Sequence, residues 1–156
     1  MPSQNKLDQY YMSLALRVAE LSHGARAKVG ACLVTESDIT ILGTNGKPKP
    51  LGNQLEELKP IGLHNGCVVK GLNLVTSESV IHAELNTILK CAKEGVSVKG
   101  ATIYTTLSCC SQCASMLASC GIKRVVYLEE YRDTKGIDIL NDCGIVVEKL
   151  DSEFKK

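Results

Sequence analysis

The sequence has few aromatic residues, almost no net charge and no long apolar run. One Phe, five Tyr and no Trp among 156 residues leave few side chains for the stacking platforms that bind single-stranded nucleic acid. Eighteen Lys and Arg residues against 17 Asp and Glu give a net charge of +1, so no global positive field attracts polyanions. These scarcities argue against long nucleic acid as a partner and predict that any base is recognised singly.

Membrane-spanning and signal segments are also missing from the pattern. No stretch approaches the roughly 20 apolar residues of a transmembrane helix, and the first ten residues are polar, without an apolar signal core. A content of 44% hydrophobic and 22% charged residues is typical of a soluble globular domain. We therefore expect one soluble domain over residues 1–156, located in the cytoplasm, with no membrane partner.

Cysteine is the residue type present in excess, with eight copies. Because no signal segment precedes them, metal binding or burial is favoured over disulfide bonding. Five cysteines stand alone among apolar or small neighbours, and we predict that these are buried packing residues: Cys32, Cys67, Cys91, Cys120 and Cys143. The other three cluster at Cys109, Cys110 and Cys113.

The spacing of apolar residues predicts an α/β fold. An amphipathic helix over residues 6–22 precedes a hairpin of strands 29–35 and 39–44, and residues 45–79 read as a long binding loop with a short strand at 67–71. The rest of the chain alternates helices (82–94, 110–119, 136–143) with strands (101–106, 124–128, 145–150). This order favours parallel strand pairing, and the tail of residues 151–156 is expected to fray.

Two short motifs carry metal-binding side chains at the starts of predicted helices. His82-Ala83-Glu84 opens one helix, and Cys110-Ser111-Gln112-Cys113 opens another. One imidazole and two thiolates make three zinc ligands, the number typical of a catalytic zinc site. Glu84, two residues after His82, can lie beside the metal without binding it and move a proton. This combination is a signature of zinc deaminases that act on nucleobases.

Longer segments around these motifs resemble a known family. The stretches ARAKVGACLV, TNGKP, SESVIHAELNTILKCAKEG and GATIYTTLSCCSQCASMLASCGIKRVVYLEEYRDTKGIDILNDCGIVV are similar to deoxycytidylate (dCMP) deaminases, particularly the bacteriophage type, over roughly residues 7–150. The resemblance implies a cytidine deaminase-like three-layer sandwich, with a mixed sheet of about five strands and helices on both faces. It also implies zinc-dependent hydrolysis of dCMP to dUMP and ammonia, which supplies dUMP for thymidylate synthesis.

The resemblance implies a role for each matching residue. It assigns His82, Cys110 and Cys113 as zinc ligands and Glu84 as the proton shuttle. The substrate-binding residues that it implies are Asn45 for the sugar 3′-hydroxyl, Arg26 for the phosphate or for support of the Asn45 loop, the backbone near Ala83 for the pyrimidine edge, and Tyr131 for stacking on the base or closing the pocket. An Asn-Gly turn, a solvated arginine and an end-of-strand aromatic are the structural alternatives. Lys47 and Lys49 are further candidates for the phosphate.

Two departures from the family pattern leave questions about metal binding. Cys109 stands where the family has Pro, and it lies four residues from Cys113, so it is an alternative ligand, although the motif register favours Cys110. Some phage-type members have a second zinc site with cysteines near the end of the first helix, where this chain has none. His23, His64 and Cys67 could form a different site, but a loop histidine and a buried cysteine are the favoured interpretation.

Regulation and assembly are implied by the resemblance alone. Many family members are hexamers activated by dCTP and inhibited by dTTP, which implies a homo-oligomer, these effectors, and Mg²⁺ accompanying the nucleotide effector. If the protein is of phage origin, its location is the host cytoplasm. The alternatives are a deaminase of another base or nucleoside (cytidine, guanine or a tRNA adenosine) and a non-catalytic, zinc-stabilised module that binds a nucleotide.

Overall fold

The computed structural model describes residues 1–61, 63–64, 67–68 and 71–151. The helices are α1 (Gln4–Ala19), α2 (Ala83–Glu94), α3 (Ser111–Ser119) and α4 (Lys135–Asp142). The strands are β1 (Gly30–Val34), β2 (Thr40–Thr44), β3 (Glu56–Pro60), β4 (Leu63–His64), β5 (Cys67–Val68), β6 (Leu72–Thr76), β7 (Thr102–Leu107), β8 (Arg124–Glu129) and β9 (Val146–Lys149). The predicted elements outside residues 45–79 are thus present, with ends that differ by at most three residues.

A five-stranded mixed sheet in the order β2-β1-β7-β8-β9 forms the centre of the fold. β1 pairs antiparallel with β2 and β7, whereas β7, β8 and β9 are parallel. The β1–β2 turn uses Asp38 at φ 61°, a backbone conformation that Asp adopts more readily than most residues. The parallel half follows from the two strand–helix–strand crossovers, as predicted.

Alternate residues of the central strands enter two separate hydrophobic clusters. Ala31 and Leu33 of β1 face a cluster with α2, α3 and α4, while Cys32 and Val34 face a cluster with α1. Since successive strand residues point to opposite faces, the sheet has α1 on one face and the other helices on the opposite face. The predicted α/β class with a three-layer sandwich is confirmed.

Helix α1 packs closely against the sheet because a glycine lies beneath it. Ser3 caps its N-terminus by accepting a hydrogen bond from the Lys6 amide at 3.4 Å. A Cβ atom at Gly30 would lie 1.9 Å from the Ala15 carbonyl oxygen, so only glycine permits this approach.

Residues 45–79 are more structured than predicted. The prediction of a loop with one short strand is wrong, because β3 and β6 form a five-residue antiparallel ribbon in this segment. Leu58 pairs with Leu74 and Pro60 with Leu72, and all four are exposed. Their solvent exposure explains the weak sequence signal, since no buried face imposed a clear apolar alternation. The predicted strand near residue 67 is present as β5.

The isolated cysteines do not share one environment. Cys32 and Cys91 are buried as predicted, and Cys120 is partly buried. Cys143 is exposed, so its predicted burial is wrong; it directly follows the last turn of α4. The side chain of Cys67 lies outside the described residues, as does the tail beyond residue 151. In the described part of the chain, no helix has both the length and the apolar character to span a membrane.

Candidate metal centre and active site

Two helix starts bring the metal-binding motifs together. His82 is the N-cap of α2, with extended backbone angles, and the preceding residue, Ile81, forms a bridge with Gly46 through hydrogen bonds of 2.8 and 3.0 Å. Asn86 donates to the Thr44 carbonyl at 2.6 Å. These contacts fix the start of α2 against the end of β2.

Cys110 occupies the same position at the start of α3. It is the N-cap residue, again with extended backbone angles, and Cys113 lies in the first turn of the helix. The thiol groups of Cys110 and Cys113 approach His82 Nδ1 to 3.5 and 3.4 Å. All three ligand atoms lie within 4.8 Å of one another. The sequence motifs, 28 to 31 residues apart, therefore converge at one point.

The donor set fits zinc in both chemistry and spacing. Zinc binds imidazole nitrogen and thiolate sulfur in tetrahedral geometry at about 2.0 and 2.3 Å, which places such a nitrogen and sulfur roughly 3.6 Å apart. The two Nδ1–Sγ distances agree with that value. Among the described residues this is the group of three His, Cys, Asp or Glu side chains close enough to hold a metal ion, and three ligands leave a coordination position for another molecule.

The alternative ligand, Cys109, lies outside the group of three side chains close enough to hold a metal ion. Its side chain is only 2% exposed and packs within the hydrophobic cluster of α2, α3 and α4. Burial raises the pKa of the Cys109 thiol to about 12. The structure thus favours Cys110 over Cys109 as the ligand.

The two clustered thiols are polarised in opposite directions. A hydrogen bond from Cys113, together with one involving His82, lowers the pKa of Cys110 to about 3. The same bond to Cys110, followed by burial, raises the pKa of Cys113. The hydrogen bond with Cys110 also raises the pKa of His82. Because zinc binds thiolates and neutral imidazole, metal binding to this group releases protons.

Glu84 is a buried carboxyl group beside the metal-binding group. It lies in the first turn of α2, is 4% exposed and lines the adjoining cavity. Burial raises the pKa of Glu84 to about 7. Within the described part of the chain, no hydrogen bond joins its carboxylate to another side chain. Such a group is a candidate for proton transfer.

The cavity next to these residues has a volume of about 610 Å³, within the range of ligand pockets. The predicted substrate-binding residues all line it: Arg26, Asn45, Ala83 and Tyr131. Their roles remain predictions. Of the three cations considered for a phosphate, Arg26 lines the cavity, and Lys47 and Lys49 are outside the described lining.

Asn45 is held by the backbone of a neighbouring loop. Its Oδ1 accepts from the Val29 amide at 2.9 Å, and its Nδ2 donates to the Ala27 carbonyl at 3.0 Å. These two bonds use only one of the two Nδ2 hydrogens. The residue therefore supports the loop that precedes β1, and the remaining N–H is the group it can offer to a ligand.

Sequence reasoning missed several residues of the cavity wall. Ser108 follows β7, and its Oγ accepts from the Tyr131 amide at 2.7 Å, which fixes the segment after β8. Arg132 lines the cavity and lies 5.6 Å from the centre of the Tyr131 ring. Glu56 and Glu130 also line it. Arg132 could have been predicted as a cavity residue because it follows Tyr131 in the sequence. In contrast, nothing in the local sequence distinguishes Glu56 from a surface glutamate.

The second metal site suggested for His23, His64 and Cys67 cannot be placed on these side chains. Those of His64 and Cys67 lie outside the described residues, and His23 is exposed.

Comparisons with known proteins agree with this fold and show the family. The family model for the cytidine and deoxycytidylate deaminase zinc-binding region matches residues 5–129. The chain belongs to this family, which confirms the resemblance noted in the sequence and supports zinc as the metal.

Individual relatives are deoxycytidylate deaminases. The enzyme of Enterobacteria phage T2 is 50% identical over 74 residues, which are 46% of this chain and 39% of the phage enzyme; the match thus spans about two fifths of that relative. The enzyme of Mycobacterium phage D29 is 34% identical, over 79% of this chain and 94% of its own. The crystal structure of dCMP deaminase from cyanophage S-TIM5 with dCMP and dUMP has a TM-score of 0.78 and 33% identity, covering 95% of this chain and 99% of that one.

Proposed function

We propose that the protein is a zinc-dependent deaminase that hydrolyses dCMP to dUMP and ammonia. One observation carries the proposal: Glu84, buried and with no hydrogen bond to a described side chain, lies beside a three-ligand metal group at the wall of a nucleotide-sized cavity. A structural zinc site would need a fourth protein ligand and no free carboxylate. The similarity to a phage dCMP deaminase that binds dCMP and dUMP supports the choice of substrate.

His82, Cys110 and Cys113 would hold the zinc ion, which, when bound, lowers the pKa of water and supplies a nucleophile at neutral pH. Glu84 accepts a proton from the attacking water and delivers it to the ring nitrogen. It then transfers the proton of the hydroxyl added at C4 to the amine, which departs as ammonia. The backbone near Ala83 orients the pyrimidine, and Tyr131 covers it.

The charged residues of the cavity wall give a basis for recognising a nucleoside monophosphate. Arg26 and Arg132 both line the cavity, and guanidinium groups bind phosphate oxygens through paired N–H donors. We assign these two residues to the 5′-phosphate and the free N–H of Asn45 to the sugar hydroxyl. If the substrate were a free nucleoside instead, both arginines would have no function in binding.

Family resemblance supports a homo-oligomer, a hexamer in many members, with dCTP as activator, dTTP as inhibitor and Mg²⁺ bound with the effector nucleotide. Dependence on free nucleotides is consistent with a cytoplasmic location. The organisation of residues 1–156 as one domain stays a prediction.

The test measures ammonia release by purified protein of known zinc content. The substrates are dCMP, CMP, deoxycytidine and dCTP, each with and without added dCTP or dTTP. We expect turnover of dCMP and far slower turnover of deoxycytidine. Absence of dCMP turnover from protein with one zinc per chain contradicts the proposal and directs attention to other bases or to nucleotide binding alone.

A further inference from the structure

The segment between α1 and β1 reaches the cavity without regular secondary structure. Residues 22–29 form neither helix nor strand, so their backbone groups need partners from elsewhere. The Gly24 amide bonds to Ser22 Oγ at 3.1 Å, and the side chain of Asn45 bonds to Ala27 and Val29. Side chains therefore determine the course of this loop.

Glu56 contributes the anchor for the middle of the loop. It is the first residue of β3 and is only 7% exposed. Its Oε1 accepts hydrogen bonds from two successive backbone amides, those of Ala25 and Arg26, each at 3.0 Å. The bond from the Arg26 amide, then that from Ala25, lowers the pKa of Glu56, so the bonds are charge-assisted at neutral pH and stronger than neutral ones.

The Arg26 side chain depends on this anchor for its position. In the described part of the chain its guanidinium makes no hydrogen bond or close ion pair, although its charge contributes to lowering the pKa of Glu56, and it lines the cavity. A free guanidinium is available to an anionic ligand, but its reach is set by the backbone from which it extends. Two backbone amides in this segment donate hydrogen bonds to Glu56, and one of them is the amide of Arg26 itself.

We infer that Glu56 is a positioning residue that fixes the loop of residues 22–29 and thereby holds Arg26 where it binds the 5′-phosphate of the substrate. The inference rests on the proposed function and deepens it. It predicts that loss of Glu56 impairs recognition of the phosphate and leaves chemistry on an unphosphorylated nucleoside unaffected. It also predicts that Glu56 and Arg26 act as one unit.

The first experiment compares kcat/KM for dCMP and deoxycytidine in Glu56→Ala, Glu56→Gln and the control Glu57→Ala. Glu57 is the exposed neighbour on the same strand. We expect Glu56→Ala to reduce the preference for dCMP by about 10-fold or more, mainly through KM, as for the loss of a charge-assisted hydrogen bond. Glu56→Gln keeps an acceptor oxygen and should stay within about 3-fold of wild type, since it retains both amide bonds.

The second experiment tests the coupling of Glu56 to Arg26. Arg26→Ala should reduce the same preference, and the double variant Arg26→Ala/Glu56→Ala should be no worse than Arg26→Ala alone, because interacting residues are non-additive. Hydrogen exchange should show faster exchange at the amides of residues 25–26 in Glu56→Ala. Zinc content and thermal midpoint are recorded for every variant.

Each outcome decides the inference. Equal losses for dCMP and deoxycytidine in Glu56→Ala, or additive effects in the double variant, overturn it in favour of a general structural role. An unchanged preference in Arg26→Ala overturns it as well. Wild-type protein without any dCMP turnover is a separate result, since that refutes the proposed function before the variants are compared.

Discussion

Two buried acidic residues, one on each side of the central sheet, differ in their hydrogen-bond partners. Asp8, on α1, accepts hydrogen bonds from Gln4, Tyr104 and Arg124 at 2.7–2.9 Å, and Arg124 also contacts Glu148. Glu84, on α2, has no such partner among the described side chains. Burial would raise the pKa of Asp8, yet its hydrogen bonds, those from Arg124 first, hold the pKa below the ordinary value. Burial of Glu84 outweighs a backbone hydrogen bond and the charge of His82, and the pKa of Glu84 rises.

The difference separates stability from function. A buried carboxylate that is fully hydrogen-bonded stays charged and ties elements together, here the first helix and the strands β7 and β8. A buried carboxyl group that no described side chain hydrogen-bonds costs stability, and beside a cavity such a group can transfer protons to a ligand. Substitution of the two acids should therefore have opposite consequences.

The largest expected effect is on turnover in Glu84→Gln. The amide keeps the shape of the side chain but cannot carry a proton, so kcat should fall by about 10³-fold, within the usual range for general acid–base catalysis. Zinc content and thermal stability should be retained or increased, because a buried acid is removed. Ammonia release measures the first effect. Near-normal kcat in this variant would remove Glu84 from the mechanism.

Next in size is the loss of metal on substitution of the cluster. Cys110→Ser should lower bound zinc from one per chain to well below one, together with activity, because hydroxyl is a poor substitute for thiolate. Cys109→Ser, at the adjacent buried position, should keep its zinc. Metal analysis after gel filtration distinguishes the two. Zinc loss in Cys109→Ser with retention in Cys110→Ser would reverse the ligand assignment.

On the other side of the sheet, Asp8→Asn should destabilise without affecting chemistry. We expect a loss of about 2–3 kcal/mol, below the usual figure for a broken buried pair because Glu148 still contacts Arg124. Urea unfolding measures it. Glu20→Gln, which removes the exposed pair with Arg17, is the control and should change stability little. A fall in kcat of the folded Asp8→Asn protein would contradict the separation.

The smallest effect concerns acid. Because the pKa of Asp8 is lower in the folded protein than its ordinary value of 3.8, the unfolded chain takes up the proton first as the pH falls. The stabilisation is thus present above about pH 5 and lost progressively below about pH 4. Asp8→Asn should show a shallower acid limb in urea midpoints measured from pH 6 to 3. Some slope should remain, since the pKa of Glu56 is also lowered.

How much of this the sequence could predict depends on the distance over which each signal acts. The motifs at His82 and Cys110 are local and begin helices, so their convergence followed from the strand–helix order. The Asp8–Arg124 pair spans 116 residues, and no periodicity links the two positions. Glu56 lies beside Glu57 in a charged stretch and reads as surface, although only Glu56 is buried.

Residues 45–79 show a further limit. In β6, Leu72 and Leu74 lie on a face that no described element covers. The strand therefore has no buried apolar face opposite an exposed polar one, which is the pattern that marks a half-buried strand. The prediction for Cys143 is wrong for a related reason. The apolar residues nearest to it, Leu140 and Ile145, are buried, but Cys143 itself lies just past the helix end and is exposed.

A glycine at the start of α4 packs directly against the backbone of the metal-binding segment. A Cβ atom at Gly136 would lie 2.0 Å from the Cys109 carbonyl oxygen and 3.0 Å from the Cys110 carbonyl carbon. Both neighbours are backbone, so no change of rotamer relieves the overlap. Position 136 bears no reactive group, yet in a complete mutational scan it should accept replacements as poorly as a zinc ligand does. The positions at which substitution impairs the site therefore include one on a helix that contributes no residue to the described metal-binding group or cavity wall.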